Sequence, residues 1–291
     1  MKFLDKIFKF LDSKKNMKVL RSIGWILSLI SIIFIINEFN KNKINFDDVK
    51  LSSIFSSLLL MSTSYICFGL AWSKFLKKNL GLVTKNSFFY WSYSNLGKYV
   101  PGFVGIPLLR ISQDNKIKSK DLFFGIIEEQ ITPILILIPT SILILNLNLI
   151  NNLIFYFGVF LLLFVFFFGF MYKKFNLFSG NKSYMHSRIE LILGFIFQLL
   201  SIYIVCLQLG INDPEIMTIY YTLSSSIALL IIGSPAGIGV REIILLQLTN
   251  NLANNESIFL ILIALRAIYF LTDIFYGVVG MFFSFYEDRN N

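Results

Sequence analysis

Stretches of about 20 apolar residues, parted by short polar loops, run through most of the chain. A helix of that length is what a hydrocarbon core about 30 Å thick requires. The first run is Ser22 to Ile36, bounded by Arg21 and Glu38, and the second is Leu51 to Trp72. Residues 122–148, 152–172, 189–209 and 215–233 supply four more, and 257–285 a long final one. Two further segments, 87–112 and 234–254, are apolar but broken by Gly, Pro and charge. The pattern predicts an all-α, polytopic integral membrane protein with about seven to eight transmembrane helices plus re-entrant or broken helices. Residues 22–285 form the membrane domain and 286–291 a short tail.

Composition strengthens this reading. Of 291 residues, 56% are hydrophobic and only 15% charged, where a water-soluble domain needs about a quarter charged. The first run lies too deep in the chain, and lacks the small-residue cleavage site, for a removable signal peptide. Cys67 and Cys206 fall inside apolar runs, and the one histidine, His186, stands in a basic loop. That is too little for a zinc or haem site, so neither a metal nor another cofactor is expected.

The formal charge of +9 is unevenly placed. Lys2, Lys6, Lys9, Lys14, Lys15, Lys18 and Arg21 crowd the start; Lys74, Lys77, Lys78 and Lys85 follow the second run; Lys173, Lys174, Lys182 and Arg188 follow the fourth long one. The 146–152 loop carries no charge, and the loop near Asn212 only Asp213 and Glu215. Basic loops resist translocation, so the N-terminus and the 74–120 and 173–188 loops are expected on the cytoplasmic side of the cell membrane. The 37–50 loop, with Lys41, Lys43 and Lys50, is the one impurity. This use of the basic excess, with attraction to anionic lipid heads, replaces nucleic-acid binding as its explanation. Residues 1–21 interleave Phe3, Leu4, Ile7, Phe8, Phe10 and Leu11 with lysines. They read as an amphipathic cytoplasmic segment on the leaflet or as a solvated basic tail.

Two places break the rules of a lipid-solvated helix. One is Asn95-Leu96-Gly97-Lys98-Tyr99-Val100-Pro101-Gly102, followed by Gly105, Pro107 and Arg110; the other is Gly233-Ser234-Pro235-Ala236-Gly237-Ile238-Gly239-Val240-Arg241-Glu242. Unpaired backbone costs several kcal/mol per group in hydrocarbon, so such breaks belong where protein packs them or a wet cavity receives them. Gly97, Gly102, Gly237 and Gly239 permit turns, while Pro101 and Pro235 suit the start of a half-helix whose amides favour an anion. A surface loop with turn residues is the plainer alternative. One break in each half suggests an inverted repeat with a site near the midplane, although the Pro-to-Arg spacings differ.

Charges inside the runs form a second anomaly: Glu128 and Glu129 in the run from Leu122, Arg266 and Asp273 in the last one. A bare charge at the bilayer centre costs at least about 2.5–3.5 kcal/mol, so each is expected to face a partner or water. Arg266 and Asp273, two turns apart, share a helix face. They are expected to pair with Glu242 and Arg241, or with Glu128 and Lys98. Such a network serves either to hold the bundle or to handle substrate.

The run N-L-G-K-Y-V-P-G at 95–102, Arg110, the Glu128/Glu129 pair and P-A-G-I-G-V-R-E at 235–242 resemble the signatures of the lysylphosphatidylglycerol synthase transmembrane family, also called the flippase-like domain family. The resemblance extends over nearly the whole chain. Ala236 departs from the family's pattern, where a Gly is usual. The resemblance implies a stand-alone member without the aminoacyl-transferase domain of the bifunctional proteins, a transporter-like protein rather than an enzyme. Its expected partner is a membrane lipid, either an anionic phospholipid or a polyprenyl-phosphate-linked lipid, in cell-envelope or glycolipid biogenesis. A lipid phosphate would meet Asn95, Gly97, Lys98, Tyr99, Pro101, Gly102, Arg110, Pro235, Gly237, Gly239 and Arg241. Glu128, Glu129, Glu242, Arg266 and Asp273 would form the intramembrane charge network. The alternative is a non-transporting partner of a glycosyltransferase or lipid-modifying enzyme. No Walker motif is present to couple ATP, and no D-D-x-x-D spacing to hold Mg²⁺ for an integral transferase.

Overall fold

A computed structural model describes residues 51–80, 87–99, 106, 110, 125, 126, 129, 137–139, 141, 142, 188–230, 239–249 and 255–288. The expected runs at 22–36 and 152–172, and the basic segment 1–21, lie outside these residues. Every regular element among the described residues is helical. The helices are α1 (Leu51–Leu80), α2 (Ser87–Asn95) with a 3-10 turn (Leu96–Tyr99), α3 (Arg188–Gln208), α4 (Pro214–Leu230), α5 (Val240–Thr249) and α6 (Asn255–Asp288). Residues 106, 110, 125, 126, 129, 137–139, 141 and 142 are helical as well.

Three of these helices are long and apolar enough to cross a membrane, over Ile54–Lys77, Ile189–Gln208 and Ser257–Phe283. Their exposed side is itself apolar, with Phe55, Leu59, Ile66 and Leu70 on α1 and Phe270, Phe275 and Phe282 on α6. Such a surface calls for lipid as its solvent, and the chain is a membrane protein.

Helices α1 and α3 run antiparallel and meet through small polar residues. Ser57 Oγ donates to the Ser201 carbonyl at 3.0 Å and Ser201 Oγ to the Ser57 carbonyl at 2.9 Å, with the two hydroxyls 2.6 Å apart. Seven residues on, Ser64 Oγ donates to the Gly194 carbonyl at 2.7 Å. Small residues let the backbones approach, and in hydrocarbon each such bond replaces nothing better. Lys74 pairs with Glu190 at the end of the same seam.

Helix α3 stops in a Schellman arrangement. Gly210, at φ 69°, donates to the Leu207 carbonyl, and Ile211 to the Cys206 carbonyl. Asp213 and Pro214 then open α4 at once, the Asp at the cap and the Pro at the first helical position. Helix α2 and its turn lie antiparallel along the C-terminal half of α6. A Cβ on Gly280 would stand 2.5 Å from the Phe89 carbonyl oxygen and 3.0 Å from the Tyr93 nitrogen, so the two backbones touch. Phe89 stacks on Phe283 one turn farther along.

Two apolar cores result. One gathers Tyr65, Trp72, Phe75, Trp91 and Phe195 around the first break; the other gathers Met61, Ile202, Tyr221, Leu245 and Leu265 around the second.

Candidate functional site

The described charges inside the bundle fall into three clusters, and two hang on α6. The midpoint of Ser257–Phe283 is residue 270. At 1.5 Å per residue, Arg266 and Asp273 stand about 6 Å and about 4.5 Å to either side of it. Both are therefore near the centre of the longest apolar span among the described residues, where a bare charge is least tolerable.

In the first cluster Arg110, only 4% exposed, is enclosed on all sides. Its guanidinium pairs with Glu129, which it also reaches through Nη2 at 3.2 Å. Nε donates to Ser94 Oγ at 2.8 Å and Nη2 to Asn95 Oδ1 at 3.2 Å. Its flat face lies 4.3 Å from the Trp72 ring centroid. Glu129 takes a further hydrogen bond from Trp91 Nε1 at 2.9 Å. Trp91, Ser94 and Asn95 arrive together because they lie within one turn and a residue at the end of α2.

The second cluster begins where α2 tightens into its 3-10 turn. Gly97 is buried in that turn, and Lys98 follows it, its Nζ 2.5 Å from Asp273 Oδ2. Gly277 of α6 lies against Leu96 of the turn, so that this close approach brings Lys98 level with Asp273.

At the second break Gly239 adopts φ 87°, the left-handed region where only glycine is unstrained, and α5 starts at the next residue. Glu242 reaches back so that the Gly239 N–H donates to its Oε2 at 2.6 Å, which is half of a capping box. The other oxygen, Oε1, accepts from Arg266 Nε at 2.8 Å and Nη2 at 2.5 Å. Arg241 Nε is 3.8 Å from the same oxygen, and its guanidinium carbon stands 5.0 Å from the Tyr221 ring centroid.

The two pairings weighed for α6 are thus both used in part: Arg266 takes Glu242, and Asp273 takes Lys98. Asn95, Lys98, Arg110, Gly239 and Arg241 are all placed, though in three clusters rather than one, and Tyr99 closes the 3-10 turn. Pro101, Gly102, Glu128, Pro235 and Gly237 lie outside the described residues. Sequence reasoning missed Trp72, Trp91, Ser94 and Tyr221. A signal existed for Trp91, which stands four residues before Asn95 on the same face of α2. Among the described residues no group of His, Cys, Asp or Glu is arranged to hold a metal ion.

Chemically, the arrangement sets Arg110 and Lys98 each against its own carboxylate, and Arg241 and Arg266 against Glu242 together, inside an apolar bundle. Such groups suit recognition of an anion by exchange of partners. Set against family models, curated proteins and solved structures, the chain matches none.

Proposed function

We propose that this protein is a lipid translocator. It moves an anionic lipid, phospholipid or polyprenyl-phosphate-linked, between leaflets of the cell membrane during envelope or glycolipid biogenesis. The reading rests on one observation above all: two broken segments in different parts of the chain each set a charged residue against α6 near the middle of its span. A phosphate cannot enter hydrocarbon unless its charge is balanced and its water replaced by fixed donors, and this is the kind of site that supplies both.

Within this proposal the chain has about seven to eight spans with the N-terminus in the cytoplasm, and its halves form an inverted repeat. It is a relative of the flippase-like domain family, as its two motifs suggest. The test is reconstitution into liposomes with a fluorescent anionic lipid. The expected result is transbilayer movement above that of protein-free vesicles, reduced at least tenfold in Arg241→Ala. Movement no faster than in empty vesicles would refute the proposal.

The rival reading, a non-transporting membrane partner of a glycosyltransferase, draws support from the tight closure of the Arg110 cluster, which resembles a structural rivet. A co-purified enzyme that needs this protein for activity, with no lipid movement, would select it.

A further inference from the structure

Helices α3 and α6 each carry a polar side chain at the centre of an apolar span, and the two are joined. Gln198 is the tenth of the 20 residues of Ile189–Gln208, and Tyr269 stands one residue before the midpoint of Ser257–Phe283. Gln198 Nε2 donates to Tyr269 Oη at 2.7 Å. Tyr269 shares a face of α6 with Arg266 and Asp273, about 4.5 Å along the axis from the first and about 6 Å from the second. Its hydroxyl is within electrostatic reach of Arg241 and of Asp273, one from the cluster at each break.

A single hydrogen bond leaves this pair half used. One amide N–H, the Gln198 side-chain oxygen and the Tyr269 O–H make no other hydrogen bond among the described residues. The seam between α1 and α3 is closed by contrast, since Ser57 and Ser201 each donate to the other's carbonyl. A polar group left open at this depth costs free energy unless something wet or polar meets it. Gln198 and Tyr269 are only part-buried, and the Lys98 and Arg266 side chains to either side keep 29% and 26% exposure. Charges so placed do not face hydrocarbon, so the polar side of α6 opens on water or on a headgroup. A pair that only fastened α3 to α6 would need no such opening.

What the pair offers differs from what a phosphate needs. A phosphodiester only accepts, whereas an amide and a phenol present donors and acceptors together, the match for a hydroxyl, which does both. We propose that Gln198 and Tyr269 bind the hydroxyls of a polyol headgroup at the centre of the membrane, while its phosphodiester passes between Lys98 and Arg266, the cations on either side. This rests on the lipid-translocator reading and deepens it, because it names the class of headgroup, a glycerol or a sugar. The pair gives polyol hydroxyls their hydrogen bonds at the depth where bulk water is farthest, and gives nothing to a lipid whose phosphate carries no hydroxyl.

The experiment measures binding of short-chain phosphatidylglycerol, phosphatidylinositol and phosphatidylmethanol to the full chain in detergent, alongside transbilayer movement of the first two in liposomes. All three carry one negative phosphodiester, and only the last lacks headgroup hydroxyls. Wild type is expected to bind phosphatidylglycerol or phosphatidylinositol about tenfold tighter than phosphatidylmethanol, as two further neutral hydrogen bonds allow. The tighter of the two tells a glycerol headgroup from a sugar-like ring. Tyr269→Phe and Gln198→Leu are expected to shrink that preference below about threefold while keeping the affinity for phosphatidylmethanol. Tyr269→Phe keeps the ring in place, so the test stands on it alone if Gln198→Leu does not fold. Equal affinity of wild type for all three lipids, or a preference that survives Tyr269→Phe, would overturn the proposal. An equal loss of affinity for all three in Tyr269→Phe would also overturn it, because that marks the pair as structural. A polyol preference lost in Tyr269→Phe, with no transbilayer movement by wild type, would support the site and refute translocation.

Discussion

Replacing Glu242 with Gln removes the one carboxylate that stands between Arg241 and Arg266 while keeping the shape of the side chain. The amide oxygen can still accept the Gly239 N–H, which lies 2.6 Å from Oε2, so the cap of α5 survives, while the NH2 group replaces the oxygen that accepts from Arg266. Removing one partner of a buried pair costs about 3–5 kcal/mol, because the other charge stays behind uncompensated. The Arg266 side chain is 26% exposed, which places the expected cost at the low end of that range. A loss of about 3 kcal/mol lowers the midpoint of thermal unfolding by about 6–12 °C in a chain of this size. Glu242→Ala gives up the cap as well and is expected to lose about 1 kcal/mol more. The assay is thermal unfolding in detergent, completed as a cycle with Arg266→Met. In the double variant Glu242→Gln/Arg266→Met both charges are gone, and more than half of the lost stability is expected to return. A Glu242→Gln protein that melts within about 2 °C of wild type, or a double variant no better than Glu242→Gln alone, would refute the claim that this pair holds α5 to α6.

Gly280→Ala sets a methyl group against the Phe89 and Tyr93 backbone, which has no rotamer to yield, and is expected to cost about 1–3 kcal/mol in detergent unfolding. Ser201→Ala removes one hydroxyl of the α1–α3 seam but leaves Ser57 its bond to the Ser201 carbonyl. Its expected loss is about 0.6 kcal/mol and no more than about 1.7 kcal/mol, measured by unfolding. Asp273→Asn alone is expected to lower stability by at least about 3 kcal/mol, with partial recovery in Lys98→Met/Asp273→Asn, read from the same transition.

The long spans are legible in the pattern of apolar residues. The run at 189–209 emerges as Arg188–Gln208 and that at 257–285 as Asn255–Asp288. Helix α1 outruns its expected end at Trp72 by eight residues, to Leu80. The lysines there mark where hydrocarbon stops, and a helix continues through the interface when its lysines reach water or an acid, as Lys74 does with Glu190. The buried charges are equally legible, because charge in an apolar run announces itself. Their partners are not. Spacing puts Arg266 and Asp273 on one face, yet the choice of Glu242 for one and Lys98 for the other follows from how α2 and α5 dock on α6. For α2 that docking depends on close approach at Gly277, against the Leu96 side chain, and at Gly280, against the Phe89 and Tyr93 backbone, which no local pattern encodes. Gln198 and Tyr269 escape altogether, since a glutamine and a tyrosine in apolar runs carry no charge to mark them until the hydrogen bond between them is seen.

The polarity of the two pairs on α6 bears on how such a bundle could work. The first break lends α6 a cation, Lys98 to Asp273; the second lends it an anion, Glu242 to Arg266. Both breaks are thus tied to one helix by charges that are costly to separate in hydrocarbon, so each tie needs a substitute ion or water to open. Within the cluster at the second break the two arginines differ in how closely they approach Glu242. Glu242 holds Arg266 by hydrogen bonds of 2.5 and 2.8 Å, whereas Arg241 approaches it no closer than 3.8 Å, beyond hydrogen-bond reach. An arriving anion that engages Arg241 leaves the Glu242–Arg266 pair neutral and intact, and costs the bundle less than one that must compete for Arg266. Arg266 is therefore the charge in this cluster that ties α5 to α6.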